Sequence, residues 1–160
     1  QARHPGVRAV YAGPIVEEEE GRRLLSLLAD NGWARYLGAV PHEEICSMLR
    51  VVDVVVNSSL SEGGMSNSLL EAMSRGVAVL ASDIEGNRSI IVDEVDGLLF
   101  ASEEDFERQA ERLVLDPDLR RHLGKQGQAK IEREFPRERE IDAYEEFYRD
   151  LLGAGDGGGA

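Results

Sequence analysis

The stretch 53-DVVVNSSLSEGGMSNSLLEAMSRGVAVLAS-82 decides the fold. It opens on a run of valines and closes on "VAVLAS", with a short helical segment between. Neither apolar run alternates with polar residues, as expected of strands covered on both faces. Residues 53–59 and 77–82 therefore read as buried strands, and 66–76 as a helix that Gly76 closes. A strand, a crossover helix and a second strand make a parallel unit.

The same rhythm continues outward on both sides. "VRAVYAG" (7–13) is a strand stopped by glycine and proline. Residues 17–32 form a helix with acidic residues early, Leu24, Leu25, Leu27 and Leu28 as its apolar face, and Asn-Gly at its end. "ARYLGAV" (34–40) is a strand, and 41–51 a helix with Pro41 in its first turn. "GLLF" (97–100) is a short last strand, followed by helices at 103–115, 117–134 and 138–152. The expected architecture is α/β, a Rossmann-like doubly wound parallel sheet. Residues 1–137 are expected to form one domain, 138–152 a separate crossing helix, and the glycine-rich 153–160 a flexible tail. Ligands of such sheets sit beyond the carboxyl ends of the strands. That directs attention to loops 13–16, 39–42, 58–66 and 83–87.

Charge narrows the partners. The 160 residues carry a formal net charge of -13, with 42% apolar residues. Such a surface repels nucleic acid and anionic membranes, while local backbone dipoles can still hold one small phosphate. No apolar run approaches the roughly 18 residues of a membrane span. The single cysteine, Cys46, forms no internal disulfide and reads as a buried helix residue, so a reducing, cytoplasmic setting is expected. The chain begins at Gln1 and enters a strand almost at once, which suggests further protein upstream and leaves a leader peptide open. His4, His42 and His122 are scattered without metal-ligand spacing, and no metal site is expected. Phosphate-loop, dinucleotide and serine-hydrolase glycine motifs are absent from the sequence.

The loop after the valine strand carries the chemistry. Gly63 and Gly64 let the backbone approach a ligand and take φ values that other residues avoid. Ser66, Asn67 or Ser68 caps the following helix, whose first free N–H groups then face the cleft. Glu71 has two open uses. Ser68 and Glu71 share the Ser-x-x-Glu spacing of a capping box, which would tie Glu71 to the backbone. Alternatively, Glu71 faces a ligand. Glu62 follows a buried strand at the ligand edge, or is a plain loop carboxylate. Downstream, Gly86 and Asn87 would open a second helix N-terminus there, with Arg88 adding positive charge.

"NSSLSEGGMSNSLLEAMSRGVAVLASDIEGNRSIIVDEVDGLLF" resembles the donor-binding segment of group 1 glycosyltransferases, retaining enzymes of the GT-B fold. The likeness rests on Ser-x-x-Glu-Gly, Leu-Leu-Glu-Ala-Met, Gly-x-x-Val-x-Ala, Gly-Asn and Gly-Leu-Leu, and runs over nearly all of residues 5–152. It implies a C-terminal GT-B half that binds a nucleoside-diphosphate sugar as substrate, without cofactor or metal. Glu71 would hold the ribose hydroxyls, and Glu62 would lie near the transferred sugar as a catalytic group. Backbone N–H groups of Gly63, Gly64, Met65, Ser66 and Asn67 would meet the distal phosphate, while Gly38 and Val40 flank the base. An acceptor hydroxyl would be supplied through an N-terminal domain, and an upstream Arg and Lys would neutralise the diphosphate. This sequence departs from the pattern in three places. Glu62 and Glu71 stand nine positions apart, one more than is usual. Ala78 replaces a customary proline, and Ser89 a frequent glutamate. A non-catalytic sugar-nucleotide-binding module and a sugar-nucleotide epimerase of the same fold are alternatives, with a plain interaction domain behind them.

Overall fold

The computed structural model describes residues 4–29, 31–61 and 63–135. The expected helix 138–152 and tail 153–160 lie outside the described residues. Among the described residues, strand and helix alternate up to a closing helix pair: β1 (Ala9–Ala12), α1 (Glu18–Ala29), β2 (Ala34–Gly38), α2 (His42–Met48), β3 (Val54–Asn57), α3 (Asn67–Ser74), β4 (Ala78–Ser82), α4 (Glu85–Arg88), β5 (Leu98–Phe100), α5 (Glu103–Leu115) and α6 (Pro117–Glu134). Every strand pair is parallel. β1 pairs with β2, and β3, β4 and β5 pair in that order, so the strands form two hydrogen-bonded groups.

β4 is the axis of the larger group, and all five of its residues are buried. Successive strand side chains point to opposite faces. Val79 and Ala81 accordingly enter one core with Leu69, Ala72 and Met73 of α3 and Ile90 and Ile91 beyond α4. Ala78 and Leu80 enter the other with Leu98 of β5, Leu113 of α5 and Leu123 of α6. Helices cover both faces, which is the doubly wound arrangement.

Two expectations about burial change. β3, expected to be covered on both faces, ends its three-stranded group among the described residues, and Val56 is 49% exposed. Val55 packs against one core and Val54 against the other, but neither is fully buried. On α1, Leu24 and Leu28, one turn apart, are half-buried, while Leu25 and Leu27 are exposed. Pro41 stands at the N-cap of α2, one residue before the first turn.

α6 is pinned to the larger group by two devices. Lys130 and Asp96 are both buried, with Nζ 3.2 Å from Oδ2. Lys130 also donates to the carbonyl of Ile90, and Asp96 Oδ1 accepts from Val92 N–H at 2.7 Å. A buried pair satisfied in this way is costly to break from one side, about 3–5 kcal/mol. The second device is steric. Gly76 turns the chain from α3 into β4 with φ 71°. Gly124 of α6 lies over that turn, and a Cβ there would fall 2.0 Å from the Gly76 carbonyl oxygen. Because the obstacle is backbone, Gly124→Ala should destabilise the fold by roughly 1–3 kcal/mol. A thermal melt compared with the parent protein checks this, and an unchanged Tm contradicts the close approach.

Candidate functional site

The carboxyl ends of β2 and β3 and the start of α3 form one rim. At its centre, Asn57 closes β3 and reaches across the loop to α3. Its Nδ2 donates to Ser66 Oγ at 2.9 Å, and its Oδ1 accepts from Ser59 N–H at 2.9 Å. Ser66 is the N-cap of α3 and is buried. Its hydroxyl is shared with Asn57 and with Ser68 Oγ at 3.0 Å, so it makes no cap bond to the helix backbone. α5 and α6 differ, since Ser102 and Asp116 accept from Asp105 N–H and Leu119 N–H. Leu69 and Leu70 N–H already donate to the Ser66 carbonyl. The N–H groups of Asn67 and Ser68 have no acceptor among the described residues. Two free amides at the positive end of a helix suit an anion.

The turn that leads to them is open. Gly63, Gly64 and Met65 are exposed, and nothing lies within 4 Å of a Cβ built at either glycine. Neither glycine has positive φ, contrary to the expectation for this turn. What the glycines contribute is clearance. Glu62, expected to be catalytic, lies outside the described residues.

Glu71 is not in a capping box. α3 begins at Asn67 with Ser66 as its cap, so Ser68 is already inside the helix and out of register for that role. The Glu71 carboxylate leans toward α2 instead, with Oε1 3.7 Å from His42 Nδ1. His42 is the first residue of α2, two beyond Val40. The structure thus brings Glu71 to the segment that contains Gly38 and Val40. Gly38 ends β2 with φ 73°, and its carbonyl accepts from Gly13 N–H at 2.8 Å. Val40 is half-buried.

The second expected loop behaves differently. α4 begins at Glu85 and is one turn long, and Asn87 lies buried inside it. Asn87 Nδ2 donates to the Ser82 carbonyl at 2.9 Å and to Ser82 Oγ at 3.1 Å, which ties α4 to the end of β4. Ser82 Oγ in turn donates to the Ser59 carbonyl at 2.6 Å. Asn87 is thus a brace for the rim, not an opening toward it. Arg88 is occupied too, with Nε 2.5 Å from Asp83 Oδ1. That hydrogen bond holds the Asp83 carboxyl below its ordinary pKa. Arg88 therefore brings little net positive charge to this edge.

Sequence reasoning missed one neighbour. Cys46 stands one turn after His42 on α2 and is half-buried rather than buried, with its sulfur 3.5 Å from His42 Nε2. The His-x-x-x-Cys spacing was there to be read, once the histidines were considered together with the cysteine. A groove of about 750 Å³ with four arginines, Arg50, Arg75, Arg120 and Arg121, lies at the amino edge of β3 and β4, and Arg75 also reaches Cys46 of α2. Among the described residues no helix is long and apolar enough to cross a membrane.

Comparison with known proteins follows the same outline. The family described as glycosyl transferases group 1 matches residues 1–130. The chain is 32% identical over 149 residues to glycosyltransferase 1 domain-containing protein 1 of Xenopus tropicalis, covering 93% of this chain and 43% of that protein. Sucrose-phosphate synthase from Thermosynechococcus elongatus superposes with a TM-score of 0.83 at 25% identity, over 96% of this chain and 40% of that one. Anabaena HepE, solved with UDP-glucose, superposes with a TM-score of 0.74 at 19% identity, over 96% of this chain and 43% of that one. The chain therefore spans less than half the length of each of these relatives.

The Asn57 bridge generates a test of the rim. Asn57→Ala removes the donor to Ser66 and the acceptor of Ser59 N–H, and the loss of these hydrogen bonds should cost about 1–3 kcal/mol. Urea unfolding with the midpoint compared at equal m-value measures it, and an unshifted midpoint means that the bridge does not hold the loop.

Proposed function

This chain belongs to the group 1 glycosyltransferases, and we propose that it is the donor-binding half of such an enzyme, which moves a sugar from a nucleoside diphosphate to a hydroxyl acceptor with retention of configuration. One observation carries the proposal. The N-cap hydroxyl of α3 meets Asn57 and makes no cap bond, the helix's first two amides have no acceptor among the described residues, and Glu71 of the same helix turns its carboxylate toward His42. A nucleoside diphosphate presents matching groups, a terminal phosphate and a ribose diol. The free amides and the dipole of α3 meet the phosphate. Glu71 accepts the two ribose O–H groups, and charge-assisted bonds of this kind are strong. The open turn at Gly63 and Gly64 lets the phosphate reach the backbone. HepE, solved with UDP-glucose, makes UDP the first donor nucleotide to test.

The chemistry then follows from charge. Breaking the bond between sugar and diphosphate leaves negative charge on the leaving phosphate. Amide donors already aimed at that position stabilise it without reorganisation. With Arg88 held by Asp83, further positive charge comes from groups outside the described residues, and the family resemblance assigns it to an Arg and a Lys upstream of the matching first strand. The same resemblance alone assigns Glu62 to the neighbourhood of the transferred sugar. The acceptor site belongs to an N-terminal domain on this reading, and the donor is bound without a metal cofactor.

Isothermal titration with UDP, and with ADP and GDP in parallel, tests the donor site. Glu71→Ala should weaken binding of the preferred nucleotide by roughly 1.5–3 kcal/mol, the scale of a hydrogen bond to a charged group. Because no capping bond is lost, its Tm should hold. A lower Tm with unchanged affinity overturns the assignment. In the full-length enzyme, Glu62→Ala should reduce the transfer rate more than donor affinity, and equal losses in both would remove Glu62 from the neighbourhood of the sugar. Proton NMR of the product reads the anomeric configuration, and an inverted product contradicts the retaining course.

A further inference from the structure

His42 and Cys46 stand four residues apart on α2, so their side chains share one face of the helix. Glu71 reaches the same place from α3. Donor atoms of the three side chains all lie within 4.8 Å of one another. His42 Nε2 is 3.5 Å from Cys46 Sγ, and His42 Nδ1 is 3.7 Å from Glu71 Oε1. In a tetrahedral zinc site, bonds of about 2.0–2.3 Å place neighbouring ligand atoms roughly 3.3–3.6 Å apart. The two short separations involve opposite ring nitrogens, so with one nitrogen serving as ligand the three donor atoms lie within 4.8 Å and must draw together by about 1 Å to reach that shape. The His42 side chain is 71% exposed and free to turn, so one nitrogen can face both partners.

The donor set selects the ion. One nitrogen, one sulfur and one carboxylate oxygen suit zinc, a borderline-soft cation, and do not suit magnesium or calcium, which take oxygen ligands. A thiolate and a carboxylate together offset both charges of the ion. Arg75 completes the surroundings. Its Nη1 donates to the Glu71 carbonyl at 3.2 Å and its Nη2 to Cys46 Sγ at 3.1 Å. A hydrogen bond to a coordinating sulfur is a common outer partner of metal sites.

We propose that His42, Cys46 and Glu71 bind zinc, leaving one coordination position open, and that zinc there competes with the nucleotide sugar. The competition rests on the donor reading above, because both ligands claim the Glu71 carboxylate. Zinc is thus an inhibitor of donor binding and not a participant in transfer.

Zinc binding is measured by competition with a chromophoric chelator, and cobalt(II) absorption reports thiolate ligation directly. The expected result is one zinc per chain, a cobalt–thiolate band, and affinity reduced by about tenfold or more in Cys46→Ser and in His42→Ala. Circular dichroism confirms that both variants stay folded, as changes at exposed or half-buried positions should. Stoichiometric zinc should weaken UDP binding, a chelator should restore it, and Cys46→Ser should be insensitive to zinc while binding UDP normally without it. No bound zinc, or zinc affinity unchanged in both variants, overturns the site. Zinc that binds through these residues and leaves UDP affinity unchanged overturns the competition. The donor reading is judged separately, by the zinc-free titration of Glu71→Ala, so the two failures are distinguishable.

Discussion

One hydrogen bond positions the site: Asn57, at the end of β3, donates to Ser66, at the head of α3. Through it the loop between strand and helix is closed at its base while its tip stays open. The Ser66 hydroxyl meets Asn57 and Ser68 and makes no cap bond, and the N–H groups of Asn67 and Ser68 have no acceptor among the described residues; the proposed function assigns these amides to a phosphate. The cost of leaving amides free at the protein surface is small, since water can meet them there. A buried helix end would not tolerate the same choice.

The brace extends inward. Ser82, the last residue of β4, joins Ser59 on one side and Asn87 on the other. The rim is therefore tied to β4, the most deeply buried strand among the described residues. Behind it, the Lys130–Asp96 pair and the close approach of Gly124 to Gly76 hold α6 against the same group of strands. The site depends on a rigid support, because amides must stay aimed at one position to stabilise charge there. The β1–β2 pair is much less covered, and Val10 and Tyr11 are more than 40% exposed. Gly38 and Val40, which the proposed function sets beside the base, belong to that less covered part, whereas Glu71 and the N–H groups of Asn67 and Ser68 belong to α3, which packs on β4.

Much of this was legible in the sequence, and the exceptions have physical causes. β4 could be read because an uninterrupted apolar run admits few other structures, and α3 because Gly76 marks its end. The start of α3 was harder. Ser66, Asn67 and Ser68 are all good caps in isolation, and the choice among them is made by Asn57, nine residues before Ser66. The use of Glu71 turned on that choice, since a start two residues later, with Ser68 as the cap, would have placed it in a capping box. The exposure of β3 was hidden for a related reason, as a valine run looks the same at an edge as in the middle of a sheet. Asn87 and Arg88 looked like site residues from their place after a strand. Each is instead engaged by a near neighbour, Ser82 and Asp83, which a linear reading does not weigh. The family resemblance supplied roles for Glu62 and Glu71 that residue types alone left open. It said nothing of the turn-to-turn match of His42 and Cys46 with Glu71, which exists only once α2 and α3 lie side by side.

The central claim is that free amides at the head of α3 receive a diphosphate while Glu71 receives the attached ribose. A heteronuclear NMR titration with UDP, following each backbone amide, tests it most directly. The account predicts that the largest shifts fall on Gly63 through Ser68, with a second group around Glu71 and Gly38 to Val40. Shifts concentrated at the arginine-lined groove at the amino edge of β3 and β4, with Asn67 and Ser68 unmoved, would contradict it.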